Sequence, residues 1–495
     1  MFRLSSLALL LSKMPEIINN RTIPKYKSTQ TQSSLVFKVR RAAPELIPPA
    51  APTPKEFKEL SDIDDQEAFR FQMPLLLFYR SKEQLLGLKS RGRGQDHPAK
   101  AIKEALGKAL VPYYPFAGRQ RERAGRKLVV DCNGEGVLFV EAHADVTLDD
   151  FGEELHPPFP CLEELLFDVP GHGGILHCPL LLIQVTMLKC GGLILAWRFN
   201  HTMADGSGLF QFMSAVAELA RGGQLSISPI WERHLLSARD PPRVTCMHLE
   251  YDDTAQSKGT DVPLDDDNMV HRSFFFGPRE MSALRGLIPP YLKSSTTFEV
   301  LTGCLWRCRT VALQPHPKET VRFHCIVDAR SRFNPPVPKG YYGNAIAFTA
   351  VLSTARDLCQ KPVGYAVELV KKAKDNVTDE YMRSLADFLV INGKPRLSAT
   401  GRCFAVSNLT RIGFDELDFG WGLPKYAGTA GEVPGFTTFY LPYKNKKRER
   451  GILFPLCLPA PAMERFVTEL NCMLGESSRH PNTGSGSSFS ITSSL

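Results

Sequence analysis

Apolar residues in this chain recur with two different periods. In "HPAKAIKEALGKALVPYYPFAGR", Ala101, Ile102, Ala105, Leu106, Ala109 and Leu110 fall at helical spacing, and Pro112 stops the run. "CPLLLIQVTMLKCGGLILAWRFN" instead reads as two apolar runs around Lys189-Cys190-Gly191-Gly192. That is the pattern of a β-hairpin whose glycines supply positive φ. Leu193, Leu195, Trp197 and Phe199 share one face of its second strand. "GLFQFMSAVAELARGG" follows as an amphipathic helix ended by Gly222-Gly223. Between that strand and that helix lies "HTMADG", so its polar groups sit at the end of a rigid element.

Elsewhere "LVFKVRR" alternates like a half-exposed strand, and the proline-rich "APELIPPAAPTPKEF" predicts an extended loop. Residues 224–270 turn polar, and the acidic "LEYDDTAQSKGTDVPLDDDN" suggests a surface crossover between two halves. The second half carries a helix in "STTFEVLTGCLWRCRTVAL", the apolar "RFHCIVDARSRFNPP", the strand-like "FTTFYLPYK" and the amphipathic "APAMERFVTELNCML". The expected organisation is an N-terminal extension at 1–32, a first half at 33–223, a crossover at 224–270 and a second half at 271–474. A Ser/Gly-rich tail at 475–495 is expected to be disordered.

Composition narrows the function. The 495 residues are 43% hydrophobic and 23% charged, as in an ordinary globular protein. The net charge of +8 is concentrated at one end: residues 1–41 hold eight basic residues against Glu16 alone, and the rest of the chain is nearly neutral. A nucleic-acid binder should carry its basic footprint on the folded domain, so that class is set aside. No run approaches the ~18 apolar residues of a membrane span. The 12 cysteines are scattered, without CxxC or zinc spacing, and read as buried free thiols in a reducing compartment. Sequons occur at Asn20, Asn200, Asn376 and Asn408. A glycan on Asn200 would destroy any site built on His201, which predicts a compartment without glycosylation.

His201 and Asp205 are the candidate chemistry. A histidine in a strand-end loop can take a proton near neutral pH, and a carboxylate four residues on can orient its ring. Alternatively Asp205 caps the following helix or pairs with a distant arginine. Spacing alone favours a structural pair. A nucleophile elbow is excluded because Asp205 stands where the first glycine of G-x-S-x-G should precede Ser207. "GHGGILH" reads as a turn, and no phosphate-binding glycine loop occurs.

"HTMADG" followed far downstream by "DFGWG" (Asp418–Gly422) resembles the paired signature of the BAHD acyltransferases, plant enzymes that move acyl groups from coenzyme A. "YPFAGR", "VDARSRFNPP" and "YYGNA" fall where that family places similar blocks, and the resemblance spans about Ser33 to Leu474. "SDIDDQEAFRFQMP", "CLEELLFDVPG", "DPPRVTC" and "PLCLPAPAMERFV" are most similar to the benzyl alcohol O-benzoyltransferase group.

The resemblance implies a mixed α/β fold of two chloramphenicol-acetyltransferase-like domains with a channel between them. It implies that His201 is the general base and that no bound cofactor or metal is needed. Acyl-CoA, here benzoyl-CoA, is the co-substrate and a small alcohol the acceptor. Asp205 is implied to be structural, paired with Arg330 or alternatively Arg332. Asp418 and Trp421 are implied to be structural determinants on the coenzyme side. Some members use a hydroxyl residue and a tryptophan as oxyanion donors. Here the tryptophan position is Leu409, which leaves Ser407 or a water. "PKYAGTAGEVPGF" is shorter than the glycine-rich segment usual in the group. The family implies a monomer without nucleic-acid or membrane partners. The expected location is the cytoplasm, with a peroxisome or another organelle as alternatives raised by the N-terminal extension and by Ser493-Ser494-Leu495. Competing readings are an amine N-acyltransferase, an acetyl-CoA-preferring enzyme and a non-catalytic CoA-binding homologue.

Overall fold

Two mixed sheets carry the chain. The computed structural model describes residues 35–81, 97–168, 174–251, 268–397, 403–431 and 437–475. The expected N-terminal extension, most of the acidic crossover stretch and the C-terminal tail lie outside the described residues.

The first sheet runs in the order Val39–Arg41, Val137–Ala144, Leu181–Met187, Leu193–Asn200, Gln72–Tyr79 and Tyr426–Thr429. Glu45–Ile47 also pairs with Val137–Ala144. Val137–Ala144 and Leu181–Met187 are parallel, and the other neighbours are antiparallel. The second sheet runs Met269–Phe276, Arg450–Pro459, Thr437–Lys444, Cys403–Asn408, Thr320–Asp328 and Ile346–Thr354. Its middle strands are parallel and its flanking pairs antiparallel. A small sheet joins Phe57–Glu59, Leu128–Asp131 and Arg119–Glu122.

Each large sheet has its own core. Helices Pro98–Ala109 and Gly206–Ala220 belong with the first, where buried Trp197 meets Phe212 edge-on at 6.2 Å. Helices Thr297–Leu313, Val363–Asp375 and Ala460–Met473 belong with the second, around fully buried Trp306. Thr296 and Glu299 cap the Thr297–Leu313 helix reciprocally, each side chain taking the other's backbone N–H at 3.3 and 2.8 Å. Burying each large apolar side chain contributes roughly 1.5–3 kcal/mol, so these two clusters supply the main drive to fold.

Three local expectations are revised. The proline-rich loop contains a short strand, Glu45–Ile47, because its backbone finds the open edge of Val137–Ala144. In the hairpin only Gly191 takes positive φ, at 77°. Gly192 is required for space instead: a Cβ there would stand 2.8 Å from the Tyr79 carbonyl oxygen. Finally, Tyr426–Thr429 from the second half lies in the first sheet, beside Gln72–Tyr79. That strand laces the two halves together next to the cavity described below.

All 12 cysteines are free. Cys304 and Cys308 sit within the Thr297–Leu313 helix, and burial pushes the Cys304 thiol up to about 12, which keeps it protonated and inert.

Candidate active site

The loop after the Leu193–Asn200 strand is pinned before any catalytic group is considered. Asn200 is fully buried, and its side-chain amide donates to Gln120 Oε1 at 2.8 Å. Its Oδ1 accepts from the Thr202 N–H at 3.2 Å and the Thr202 hydroxyl at 2.7 Å. The His201 N–H donates to the Phe71 carbonyl at 3.0 Å, and the His201 carbonyl accepts from Asn344 Nδ2 at 2.9 Å. Both backbone groups of His201 are thereby fixed.

The imidazole lies in an aromatic cage. It stacks on Phe69 with centroids 4.7 Å apart and planes 4° from parallel. Phe71 and Phe199 tilt against it at 5.4 and 5.5 Å. Burial among these rings holds the imidazole pKa below its ordinary 6.5; its own backbone, Asp205, Asn344 and Asp64 oppose that shift without cancelling it. Nδ1 is buried without a hydrogen-bond partner. Among the described residues no ion pair joins His201 to a carboxylate.

Asp205 is occupied elsewhere. Its Oδ1 accepts from the Gly208 N–H at 2.9 Å, which caps the Gly206–Ala220 helix. Arg330 clamps both oxygens at 2.8 Å, and the Ala345 N–H reaches Oδ2 at 3.0 Å. Burial raises the Asp205 pKa, but Arg330 and these donors more than offset it, and the carboxyl is held below its usual 3.8. Arg330 loses stability as a cation through burial and regains more from Asp205 and Asp328, so its pKa lies above the ordinary value. Arg330 also donates to the Gly343 carbonyl at 2.7 Å. Arg332 is exposed and makes no such contact with Asp205. The helix cap and the arginine pair, posed as alternatives by the sequence, coexist on one carboxylate.

A second buried ion pair lies behind the loop. Asp64, fully buried, accepts from Arg233 Nη1 at 2.7 Å, from the Asn344 N–H at 2.8 Å and from Asn344 Nδ2 at 2.9 Å. Ser61 donates its hydroxyl to the same carboxylate at 2.6 Å. Arg233 Nη2 reaches the Met203 carbonyl at 2.8 Å, and its guanidinium lies over Trp231 at 4.3 Å. Arg233 from the crossover and Asn344 from the second half therefore hold the His201 loop, with Asp64 of the first half joining the two. Asp64 and Asn344 lie in blocks that the sequence comparison noticed without assigning them a role.

The "DFGWG" segment folds on itself. Asp418 Oδ1 accepts from the Gly420 and Gly422 N–H groups at 2.7 and 2.9 Å, and both glycines have positive φ, 107° and 83°. The Asp418 carbonyl takes a hydrogen bond from Arg221 at the end of the Gly206–Ala220 helix. Phe419 packs edge-on to Tyr79, whose hydroxyl donates to the Leu417 carbonyl at 2.9 Å. Trp421 packs half-buried against the first core. Neither Asp418 nor Trp421 lines the cavity that holds His201.

That cavity is partly open to solvent, and both halves wall it. Met73, Leu75 and Phe199 come from the first sheet, and Ile326, Ile346 and Phe439 from the second. His201, Ser407 and Thr429 are among its polar lining. Ser407 lies on the Cys403–Asn408 strand opposite Phe439. Ser207 donates to Asp328 at 3.2 Å on the same wall. Leu409 also lines the cavity, and its side chain offers no donor. Among the described residues no group of three or more His, Cys, Asp or Glu side chains is placed to hold a metal ion.

Comparison with known proteins identifies the group to which this arrangement belongs. A family profile described as "Transferase family" matches residues 37–473. A benzyl alcohol O-benzoyltransferase of Petunia hybrida is 59% identical over 451 residues, covering 90% of this chain and 96% of that protein. Its Nicotiana tabacum counterpart matches equally, and an alcohol acyl transferase of Malus domestica is 54% identical over 88% of this chain and 94% of its own. Among solved structures, vinorine synthase superposes with a TM-score of 0.67 at 21% identity, covering 88% of this chain and 98% of that one. TRI101 of F. graminearum, complexed with coenzyme A and deoxynivalenol, gives 0.62 at 17% identity, covering 83% and 96%. The fold is shared across these low identities, and the much higher identity to the plant enzymes shows that this chain belongs to the transferase family as a BAHD acyltransferase.

Proposed function

We propose that the protein transfers a benzoyl-type acyl group from coenzyme A to benzyl alcohol or another small alcohol, with His201 as general base. The observation that carries this reading is an imidazole held neutral by an aromatic cage on the wall of an apolar cavity. A neutral ring accepts a proton, and the apolar lining suits aromatic substrates. Names of the relatives that are more than half identical point to the same reaction.

The step follows from the ring's surroundings. Nδ1 is sealed in the protein, so Nε2 takes the alcohol proton. The alkoxide oxygen bonds to the thioester carbonyl carbon, giving a tetrahedral oxyanion. Its collapse breaks the carbon–sulfur bond, and the imidazolium returns the proton to the departing thiolate. Ester and free coenzyme A leave, and no acyl-enzyme forms. Ser407, or a water, donates to the oxyanion. Asp205 stays outside the proton path because its oxygens are filled by Arg330 and backbone donors. Proton transfer by a positioned base of this kind is worth ~10²–10⁴ in rate.

The test is release of free coenzyme A from benzoyl-CoA plus benzyl alcohol, with mass detection of the ester. The wild type should be active and His201→Ala should lose most of the rate. Full activity in His201→Ala would overturn the mechanism, and no turnover by the wild type across a panel of acyl donors and alcohols would overturn the reaction.

A further inference from the structure

The cavity presents a polar atom that the acyl-transfer step does not use. Thr429 ends the Tyr426–Thr429 strand, is only 1% exposed, and lines the cavity. Its Oγ1 is buried without a hydrogen-bond partner. Its backbone, in contrast, is engaged: Thr429 pairs with Leu75, and its carbonyl accepts from the Tyr426 hydroxyl. Buried hydroxyls normally find partners, and one left unpaired on a residue that lines a substrate cavity points to a ligand atom. The nearest walls are apolar, with Leu75 and Met73 along the adjacent strand.

Register places this hydroxyl relative to the base. Thr429 stands opposite Leu75, Leu75 opposite Trp197, and His201 lies four residues beyond Trp197. At ~3.3 Å per residue and ~4.8 Å per strand, the two Cα atoms are roughly 16 Å apart. Subtracting the two side chains leaves room for a reacting carbon near His201 and roughly one aromatic ring beyond it. Thr429 is therefore too far to touch the reacting atoms and well placed for the distal end of a ring.

We infer that Thr429 is a specificity-determining residue whose hydroxyl hydrogen-bonds an oxygen substituent on the distal side of an aromatic substrate. The inference rests on the acyl-transfer reading of the same cavity. The oxygen can belong to the acyl group or to the alcohol, since either aromatic group would put a ring in this cavity. A site built to bond a substrate hydroxyl discriminates more sharply than an apolar wall does.

The experiment compares wild type, Thr429→Val and Thr429→Ser. Valine keeps the branched shape that suits a strand and deletes the hydroxyl, whereas serine keeps the hydroxyl. One arm measures benzoyl-CoA against 4-hydroxybenzoyl-CoA with benzyl alcohol. The other measures benzyl alcohol against 4-hydroxybenzyl alcohol with benzoyl-CoA. In one arm, Thr429→Val should lower kcat/KM for the hydroxylated substrate about 3- to 10-fold relative to its parent, the span of one net hydrogen bond. Thr429→Ser should keep the wild-type ratio, and the arm that responds tells which group carries the oxygen. The valine variant should melt no lower than wild type, because it removes an unpaired buried polar atom. Unchanged ratios in both arms, or equal loss on parent and hydroxylated substrates, overturn the inference. Wild-type inactivity on every pair overturns the acyl-transfer reading instead. Calorimetric binding of the same alcohols and thioesters then reads the Thr429 contact directly, and identical affinities for wild type and Thr429→Val overturn it.

Discussion

The side-chain amide of Asn344 donates to the main-chain carbonyl of His201 at 2.9 Å. The same amide, together with the Asn344 N–H, also binds Asp64, itself clamped to Arg233. His201 is therefore aligned through its backbone, by a residue from the other half of the chain. Asn344→Ala should remove the brace without removing the imidazole. Removing one partner of a buried acceptor costs ~1–3 kcal/mol, so thermal unfolding should shift downward. The kinetic expectation is a fall of roughly 10-fold or more in kcat with a smaller change in KM, because the reacting geometry is disturbed more than the cavity. The acid limb of the pH–rate profile should move lower, since Asn344 is one of the groups that raise the His201 pKa against its cage.

Asp205 and Arg330 should behave as one unit. Breaking a buried, hydrogen-bonded pair from one side costs ~3–5 kcal/mol. Asp205→Ala leaves Arg330 only the exposed Asp328 and the Gly343 carbonyl and removes the cap on the Gly206–Ala220 helix, so it should destabilise more than Arg330→Ala, whose aspartate keeps the Gly208 and Ala345 N–H donors. Arg330→Lys should not restore stability, because a single ammonium cannot grip both oxygens. A double-mutant cycle by chemical denaturation measures the coupling. The pair also carries an acid dependence. The folded-state pKa of Asp205 is depressed, so its contribution is complete above 3.8 and is lost as pH falls through the lower folded value.

His201 titrates from the opposite chemistry with the same direction of shift. Its folded pKa lies below 6.5, so the ring is neutral in the protein at pH values where a free histidine is already charging. The acid limb of kcat/KM should therefore fall below pH 6.5. Stability should drop as pH falls from 6.5 toward the folded value, because over that window the unfolded chain binds a proton that the folded ring refuses. Phe71→Ser opens the cage to water and should move the acid limb upward toward 6.5. Kinetics across pH 4.5–8 on both proteins, a range of about 3.5 units around that limb, check the shift.

Much of this site is legible in local sequence, and its supports are not. "HTMADG" sits where an apolar alternation ends and a helical period begins, so the position of His201 at a strand end follows from pattern. Arg330 was reachable only through the family resemblance, since 125 residues separate it from Asp205. Asp64 and Asn344 stand 280 residues apart, and nothing in the spacing of either announces the other. The strand Tyr426–Thr429 escaped for a different reason. Four residues containing alanine and glycine give no readable alternation, and its partner Gln72–Tyr79 lies in the other half. Thr429 was invisible for the same reason, since only pairing with Leu75 brings it to the cavity wall. Glu45–Ile47 was masked by the prolines around it, which argue locally for a loop while a sheet edge elsewhere supplies the hydrogen bonds.

The two glycines that flank Ser207 should respond oppositely to alanine. At Gly208 a Cβ would stand 2.0 Å from the Tyr342 carbonyl oxygen, and backbone cannot rotate out of the way. Gly208→Ala must push the helix start off the "YYGNA" segment. It would strain the Gly208 N–H bond to Asp205 and, through Asp205, the Ala345 contact. Overpacking of this kind costs typically ~1–3 kcal/mol, and here it should also lower kcat. At Gly206 the nearest atom to a new Cβ is Leu409 Cδ2 at 3.5 Å, an ordinary contact, and its φ is not positive. Alanine there removes chain entropy from the unfolded state and should leave the fold as stable as wild type, or ~0.4–1 kcal/mol more so. Yet Gly206 lines the cavity, so the added methyl narrows it beside Leu409. Gly206→Ala should raise KM for bulky alcohols more than for small ones while unfolding no earlier. If unfolding temperature and KM moved the same way in both variants, the cavity wall would have to be drawn elsewhere.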